Sequence, residues 1–375
     1  MTTDIRQMSM SMISTVGNFL PKKAAGRRDV SANWVAVGWG EIIAKSSNGN
    51  DWTAAAGSTT NKGGLTSGRA VAYGKDGTGA GLWVAVGGGV IIAKSSDGNV
   101  WTPAATNPNI VGKAGIQSGY GVAYGKDGTG AGLWVAVGDG LLIAKSTDGN
   151  VWTPTAFVDG INGKGGITNY GYGVAYGKDG NGAGLWVAVG EGGLIAKSTD
   201  GNVWSAAVTF GDLTTRVRGV AYGKNNSGSG LWVVVGQGAI IASSSNGSYW
   251  TAAPTNPDFV GKGGLTSGYG VAYGKNALGA GLWVAVGQGG IIAKSPNGYN
   301  WTPAYTSVAG NVGGITGIGT AVAYGKDGNG AGLWVAVGDG GIIAKSTDGN
   351  IWTPAATKGG ITTYGWGVAF KNEII

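Results

Sequence analysis

The chain has 375 residues, 79 of them glycine, with neither cysteine nor histidine and a formal net charge of +7. Those absences remove disulfides, zinc sites of the usual ligand types, and catalysis through a cysteine nucleophile or an imidazole base. The lysines recur at spaced positions and form no stripe, which argues against nucleic acid as a partner, and no apolar run approaches the roughly 20 residues of a transmembrane helix.

Residues 1–30 stand apart from the rest of the chain. Met8, Met10, Met12, Ile13, Val16, Phe19 and Leu20 supply an apolar face, and Lys22, Lys23, Arg27 and Arg28 make a basic hinge behind it. The segment reads as an N-terminal extension, either a disordered tail of the kind common at termini or an anchoring arm that docks on another subunit or surface, to which soft methionines with their adaptable contacts are suited. Serines interrupt Met8 to Met12, so the start of the chain lacks a clear signal peptide.

From residue 31 to 375 the sequence repeats at intervals of about fifty residues. One unit, Gly121 to Pro154, reads Gly-Val-Ala-Tyr-Gly, a Gly-rich turn, Leu-Trp-Val-Ala-Val-Gly, Asp-Gly, Leu-Leu-Ile-Ala-Lys-Ser, Thr-Asp-Gly-Asn, Val-Trp-Thr-Pro. These are four short strands, A to D, joined by tight turns, and apolar on both faces because each sheet packs between two others. Units of this length and composition predict the blades of an all-β propeller, seven in number and four-stranded. Strand A begins at Val71, Val122, Val174, Val220, Val271 and Val322, and a last copy, Val368-Ala369-Phe370, comes after the seventh unit. The first strand B, at Trp34, has no strand A before it. The C-terminal copy is therefore expected to close the ring by pairing with the N-terminal blade.

The seven tryptophans Trp52, Trp101, Trp152, Trp204, Trp250, Trp301 and Trp352 each end a Ser-x-Asp/Asn-Gly-x-x-Trp motif. Its third residue is Asn48, Asp97, Asp148, Asp200, Asn246, Asn297 or Asp348. This motif resembles the Asp-box, or BNR repeat, of sialidases, sortilin-type receptors, some glycoside hydrolases and a photosystem II assembly factor. The resemblance covers about nine tenths of the chain and implies a hairpin between strands C and D. An amide in three copies keeps the acceptor and drops the charge, so the position serves hydrogen bonding in the turn, and neither acid–base chemistry nor a metal site is expected there.

The resemblance to sialidases implies three arginines on a substrate carboxylate, a Tyr–Glu nucleophile and an aspartic acid. Here the propeller holds Arg69, Arg216 and Arg218, the chain's glutamates are Glu41, Glu191 and Glu373, and no residue maps onto that set. No catalytic residue and no cofactor is assigned.

Variable positions mark the candidate site. Two residues before the Val of each strand A stand Arg69, Tyr120, Tyr172, Arg218, Tyr269, Thr320 and Trp366, and the B-to-C turns carry Trp39, Gly88, Asp139, Glu191, Gln237, Gln288 and Asp339. With strand A nearest the axis, both sets rim one mouth of the central channel. Arg69, Tyr120, Tyr172, Arg218, Tyr269, Trp366, Trp39, Asp139 and Glu191 are the candidate ligand-binding residues, for a glycan or a protein partner. The expected role is a non-enzymatic binding or structural propeller of a cell or virion surface. The competing expectation is an intracellular assembly factor, as the resemblance implies, and a glycoside hydrolase ranks below both.

Overall fold

In a computed structural model the described residues are 32–56, 63–89, 92–105, 118–139, 143–155, 170–210, 215–253, 264–304, 315 and 317–371. The expected arm, residues 1–30, lies outside them, as do the interiors of most linkers between blades. Seven antiparallel sheets make a seven-bladed β-propeller. Its innermost strands are Gly365–Phe370, Leu65–Lys75, Gly119–Lys126, Gly171–Lys178, Val217–Lys224, Gly268–Lys275 and Gly319–Lys326, for blades 1 to 7 in turn. Blade 1 draws that strand from the far end of the chain: Trp34 pairs with Phe370, Val35 with Ala369, and Ala36 with Val368.

Strand B explains how the blades stack. Its side chains alternate although all are apolar. In blade 2, Leu82, Val84 and Val86 meet Trp134 and Ala136 of blade 3, while Trp83 and Ala85 face Val35 and Val37 of blade 1. The same pairing recurs as seven clusters, one per interface, each with both kinds of repeat tryptophan. None of the fourteen repeat tryptophans is more than 3% exposed. An indole packed between sheets still needs a partner for its N–H. The strand-B indoles find it on the preceding blade: Trp134 donates to the Lys75 carbonyl at 2.8 Å, Trp186 to Lys126 at 2.8 Å, and Trp34 crosses the seam to Lys326 at 2.8 Å.

Two features go beyond the repeat. Strand D is only Thr–Pro in blades 2, 3, 6 and 7, because proline offers no N–H to a further strand and so blunts an outer edge. Blades 1, 4 and 5 lack that proline; in blade 5 the outer strand runs Tyr249–Ala252, and the segment Val208–Phe210 pairs with it in parallel as a fifth strand. At the seam Lys371 replaces the glycine that follows Tyr in other innermost strands, and its Nζ lies 5.5 Å from the Tyr73 ring centroid.

Two outcomes test this architecture. Truncation after Gly360 removes the inner strand of blade 1, and cooperative unfolding should be lost in calorimetry. Trp134→Phe keeps most of the packing but orphans the Lys75 carbonyl, and should lower stability by about 1–3 kcal/mol in denaturant titration.

Candidate functional site

The Ser-x-Asp/Asn-Gly motif builds a turn and a joint. In blade 3 the Ser146 hydroxyl accepts the Gly149 amide at 2.9 Å and donates to Asp148 Oδ1 at 2.9 Å. That oxygen accepts the amides of Asn150 and Val151, and the Trp152 indole donates to the Gly149 carbonyl at 3.1 Å. Gly149 has φ +69°, and a Cβ there would collide with Leu82 of the preceding blade, so glycine is required by conformation and by contact. Asn48, Asn246 and Asn297 accept the same pair of amides through Oδ1. These seven positions sit on the face of the A-to-B turns: Gly77 and Gly128 there lie against Asp148 and Asp200 of the following blade.

Burial pushes the Asp97, Asp148, Asp200 and Asp348 carboxyls up, but the two turn amides and the serine hydroxyl outweigh it and hold each below the ordinary aspartate value. With the folded value below the unfolded one, the unfolded chain binds more protons in acid. This contribution to stability is complete above the unfolded value of about 4 and is lost as pH falls through the folded value.

The opposite mouth holds the variable residues. Each is the extra residue of a β-bulge in strand A. Gly171 pairs with Gly190 and Gly173 with Val189, which leaves Tyr172 outside the ladder, and the register shifts in the same way at Arg69, Tyr120, Arg218, Tyr269, Thr320 and Trp366. A bulge re-aims the side chain it frees. Here all seven freed side chains line one cavity, and the innermost strands of neighbouring blades lie side by side around it. The glycine that ends strand B makes room. A Cβ at Gly236 would collide with the Arg216 carbonyl, and one at Gly287 with that of Ser267.

The bulge residues, together with Ile318 and Tyr364, line a cavity of about 420 Å³. Arg69 lies with Cζ 4.1 Å from the Tyr120 ring centroid and 5.4 Å from that of Trp366. Its Nε is buried and, among the described residues, has no hydrogen-bond partner. Arg218 stacks on Tyr269 at 4.0 Å and donates to Ser267 Oγ at 2.8 Å. Tyr120 and Tyr172 meet edge to face at 5.6 Å, and Thr320 bonds the Val337 and Gly365 carbonyls. Burial raises the Tyr172 phenol above its ordinary value, with Arg216 opposing.

Of the B-to-C turn residues, Trp39 is 53% exposed and meets Trp366 edge-on at 5.6 Å. Asp139 accepts the Ser118 amide, and Arg216 reaches Glu191 at 3.3 Å across a half-exposed pair. None of these carboxylates lines the cavity. The backbone adds a second circle four residues before each strand-A Val: the amides of Trp39, Asp139, Glu191, Gln237, Gln288 and Asp339 donate to Tyr364, Ser118, Tyr170, Arg216, Ser267 and Ile318. Of this circle the sequence singled out Arg216 alone, for its charge. Tyr170, which stacks with Tyr172 at 6.0 Å, and Tyr364 went unnoticed, although the spacing of four from strand A was there to be read.

Fold and mouth define a seven-bladed β-propeller with an aromatic, arginine-bearing channel entrance. No family model and no curated protein matches the sequence. The computationally designed protein Ika8 is similar in structure over 91% of this chain and 92% of its own, with a TM-score of 0.51 and 12% identity. YCF48 bound to D1 peptide is similar over 76% of this chain and 80% of its own, with a TM-score of 0.48 and 16% identity. A GH74 enzyme of Niastella koreensis is similar over 82% of this chain and 44% of its own, with a TM-score of 0.49 and 18% identity. Identities this low speak to fold alone.

Replacing all four turn aspartates by asparagine should flatten the fall of Tm below roughly pH 5, because the amide keeps the acceptor and does not titrate. Gly236→Ala should cost about 1–3 kcal/mol, read by denaturant titration, because the new methyl meets backbone.

Proposed function

We propose that this chain is a non-enzymatic binding propeller, a component of a cell or virion surface, that recognises glycans through the bulge-lined mouth. In this reading the serine–aspartate hairpins are Asp-boxes with a structural task. The observation that carries the proposal is the cavity itself. Two guanidiniums in the cavity wall lie over aromatic rings, and the aromatic walls match the apolar faces of sugars. A hydrolase needs two carboxylates facing each other across a sugar. The rim carboxylates Asp139 and Glu191 are instead engaged by the Ser118 amide and by Arg216.

A glycan array probed with the full chain tests this directly. Binding to a defined set of glycans is expected, and Tyr172→Ala or Arg218→Ala should weaken it about tenfold or more with little change in Tm, since both side chains sit at the opening. Binding unchanged in both variants would remove the mouth from the proposal. Capture of one protein complex with no glycan bound would assign the mouth to the alternative role in protein assembly.

A further inference from the structure

The rim of blade 1 carries two costs at one residue. Its B-to-C turn reads Trp39-Gly40-Glu41, with φ +78° at Gly40 and +64° at Glu41. The positions equivalent to Glu41 in blades 4, 6 and 7 are Gly193, Gly290 and Gly341, at φ +74°, +67° and +63°. A left-handed backbone favours glycine, and a side chain there is strained. Among the described residues only Glu41 and Ala239, the equivalent in blade 5, carry a side chain at positive φ. Alanine adds one methyl and no polar group. Glu41 adds a carboxylate, and its Oε2 is shut away from solvent with no hydrogen-bond partner among the described residues. A desolvated acceptor without a donor is itself unfavourable. Glu191 Oε2 is also buried without a partner, but that carboxylate is paired with Arg216 through Oε1 and its backbone is not left-handed, so strain and an unmet acceptor coincide, among the described residues, at Glu41.

In the same turn, Trp39 is the most exposed tryptophan described, at 53%, and its amide is tied to the Tyr364 carbonyl at 3.0 Å, so an apolar face is presented from a fixed turn. Trp39 meets Trp366, which lines the mouth, so this turn continues the cavity wall outward. A cationic ligand reaching across the mouth would meet Arg69 and Arg218, and an anionic one would meet Glu41 at this turn. An uncharged polyol satisfies both, because its hydroxyls donate to a carboxylate and accept from a guanidinium.

We propose that Trp39 and Glu41 form a subsite on the rim of the mouth for an uncharged sugar ring, with the indole as stacking platform and the carboxylate as acceptor of its hydroxyls. The subsite rests on the glycan reading of the mouth and adds to it the neutral class of the sugar and the residues that select it. Engaging a sugar in this way requires the Glu41 carboxylate to turn out of its buried position.

Titration calorimetry of the full chain with maltohexaose, cellohexaose and chitohexaose tests it. At least one is expected to bind. Glu41→Gly should cut that affinity about tenfold without lowering Tm, because glycine accepts the positive φ. A residue with only a structural role would show the reverse. Glu41→Gln, which offers one acceptor oxygen in place of two, should bind several-fold more weakly, and Trp39→Ala should lose most of the affinity. If the wild type binds and Glu41→Gly and Glu41→Gln bind equally well, the subsite is overturned, while loss of binding in Tyr172→Ala would leave the mouth reading standing. If none of the three oligosaccharides binds, the neutral subsite falls, and the array result then decides the mouth reading separately.

Discussion

The tryptophan of each strand B is the joint on which the ring depends. Its indole fills the gap between two sheets, and in six described blades its N–H closes on a backbone carbonyl of the blade before, at 2.8 to 2.9 Å. The hydrophobic term alone would let blades slide, because apolar burial is non-directional. At these six interfaces one directed hydrogen bond constrains the angle at which a blade meets the next. The turn motif adds a second tie at the same place: its glycine sits against the strand-B indole of its own blade and, in six blades, on the preceding blade's leucine, with Ala32 and Val35 in that place for Gly98 of blade 2.

That regularity is what allows the mouth to vary. The inner ends of the strands are held by the outer layers, so the bulge residues carry little of the folding burden and can be Arg, Tyr, Trp or Thr in turn. Rigid scaffolds with variable positions at one end are where recognition is usually found. Asymmetry is concentrated there: Arg69 lies between Tyr120 and Trp366 on one arc, and Arg218 on Tyr269 with Arg216 and Glu191 occupies another. The strained turn at Trp39 and Glu41 extends the first arc beyond the channel.

The seam shows how the repeat tolerates being cut. Blade 1 is assembled from both ends of the described chain, and its linker makes local repairs. The Thr357 hydroxyl both accepts the Trp52 amide and donates to the Trp52 carbonyl, at 2.5 and 2.7 Å, and Lys371 covers the Tyr73 ring where other blades place glycine. Blade 5 is repaired differently, by a parallel strand from the preceding linker where its outer strand lacks proline.

The number of blades, the order of their strands, the closure by Val368-Ala369-Phe370 and the burial of fourteen tryptophans were all legible in the sequence, because each follows from a motif repeated at a fixed interval. The candidate residues Arg69, Tyr120, Tyr172, Arg218, Tyr269 and Trp366 were legible as positions that vary against a constant background. That each is the freed residue of a bulge was not, because strands apolar on both faces give no alternation from which a one-residue slip can be read. The stacking of Arg69 and Arg218 on their rings, the circle that brings in Tyr170 and Tyr364, and the positive φ of Glu41 were decided only in three dimensions. Each depends on how close two backbones come, and that distance is set by the packing of the whole ring.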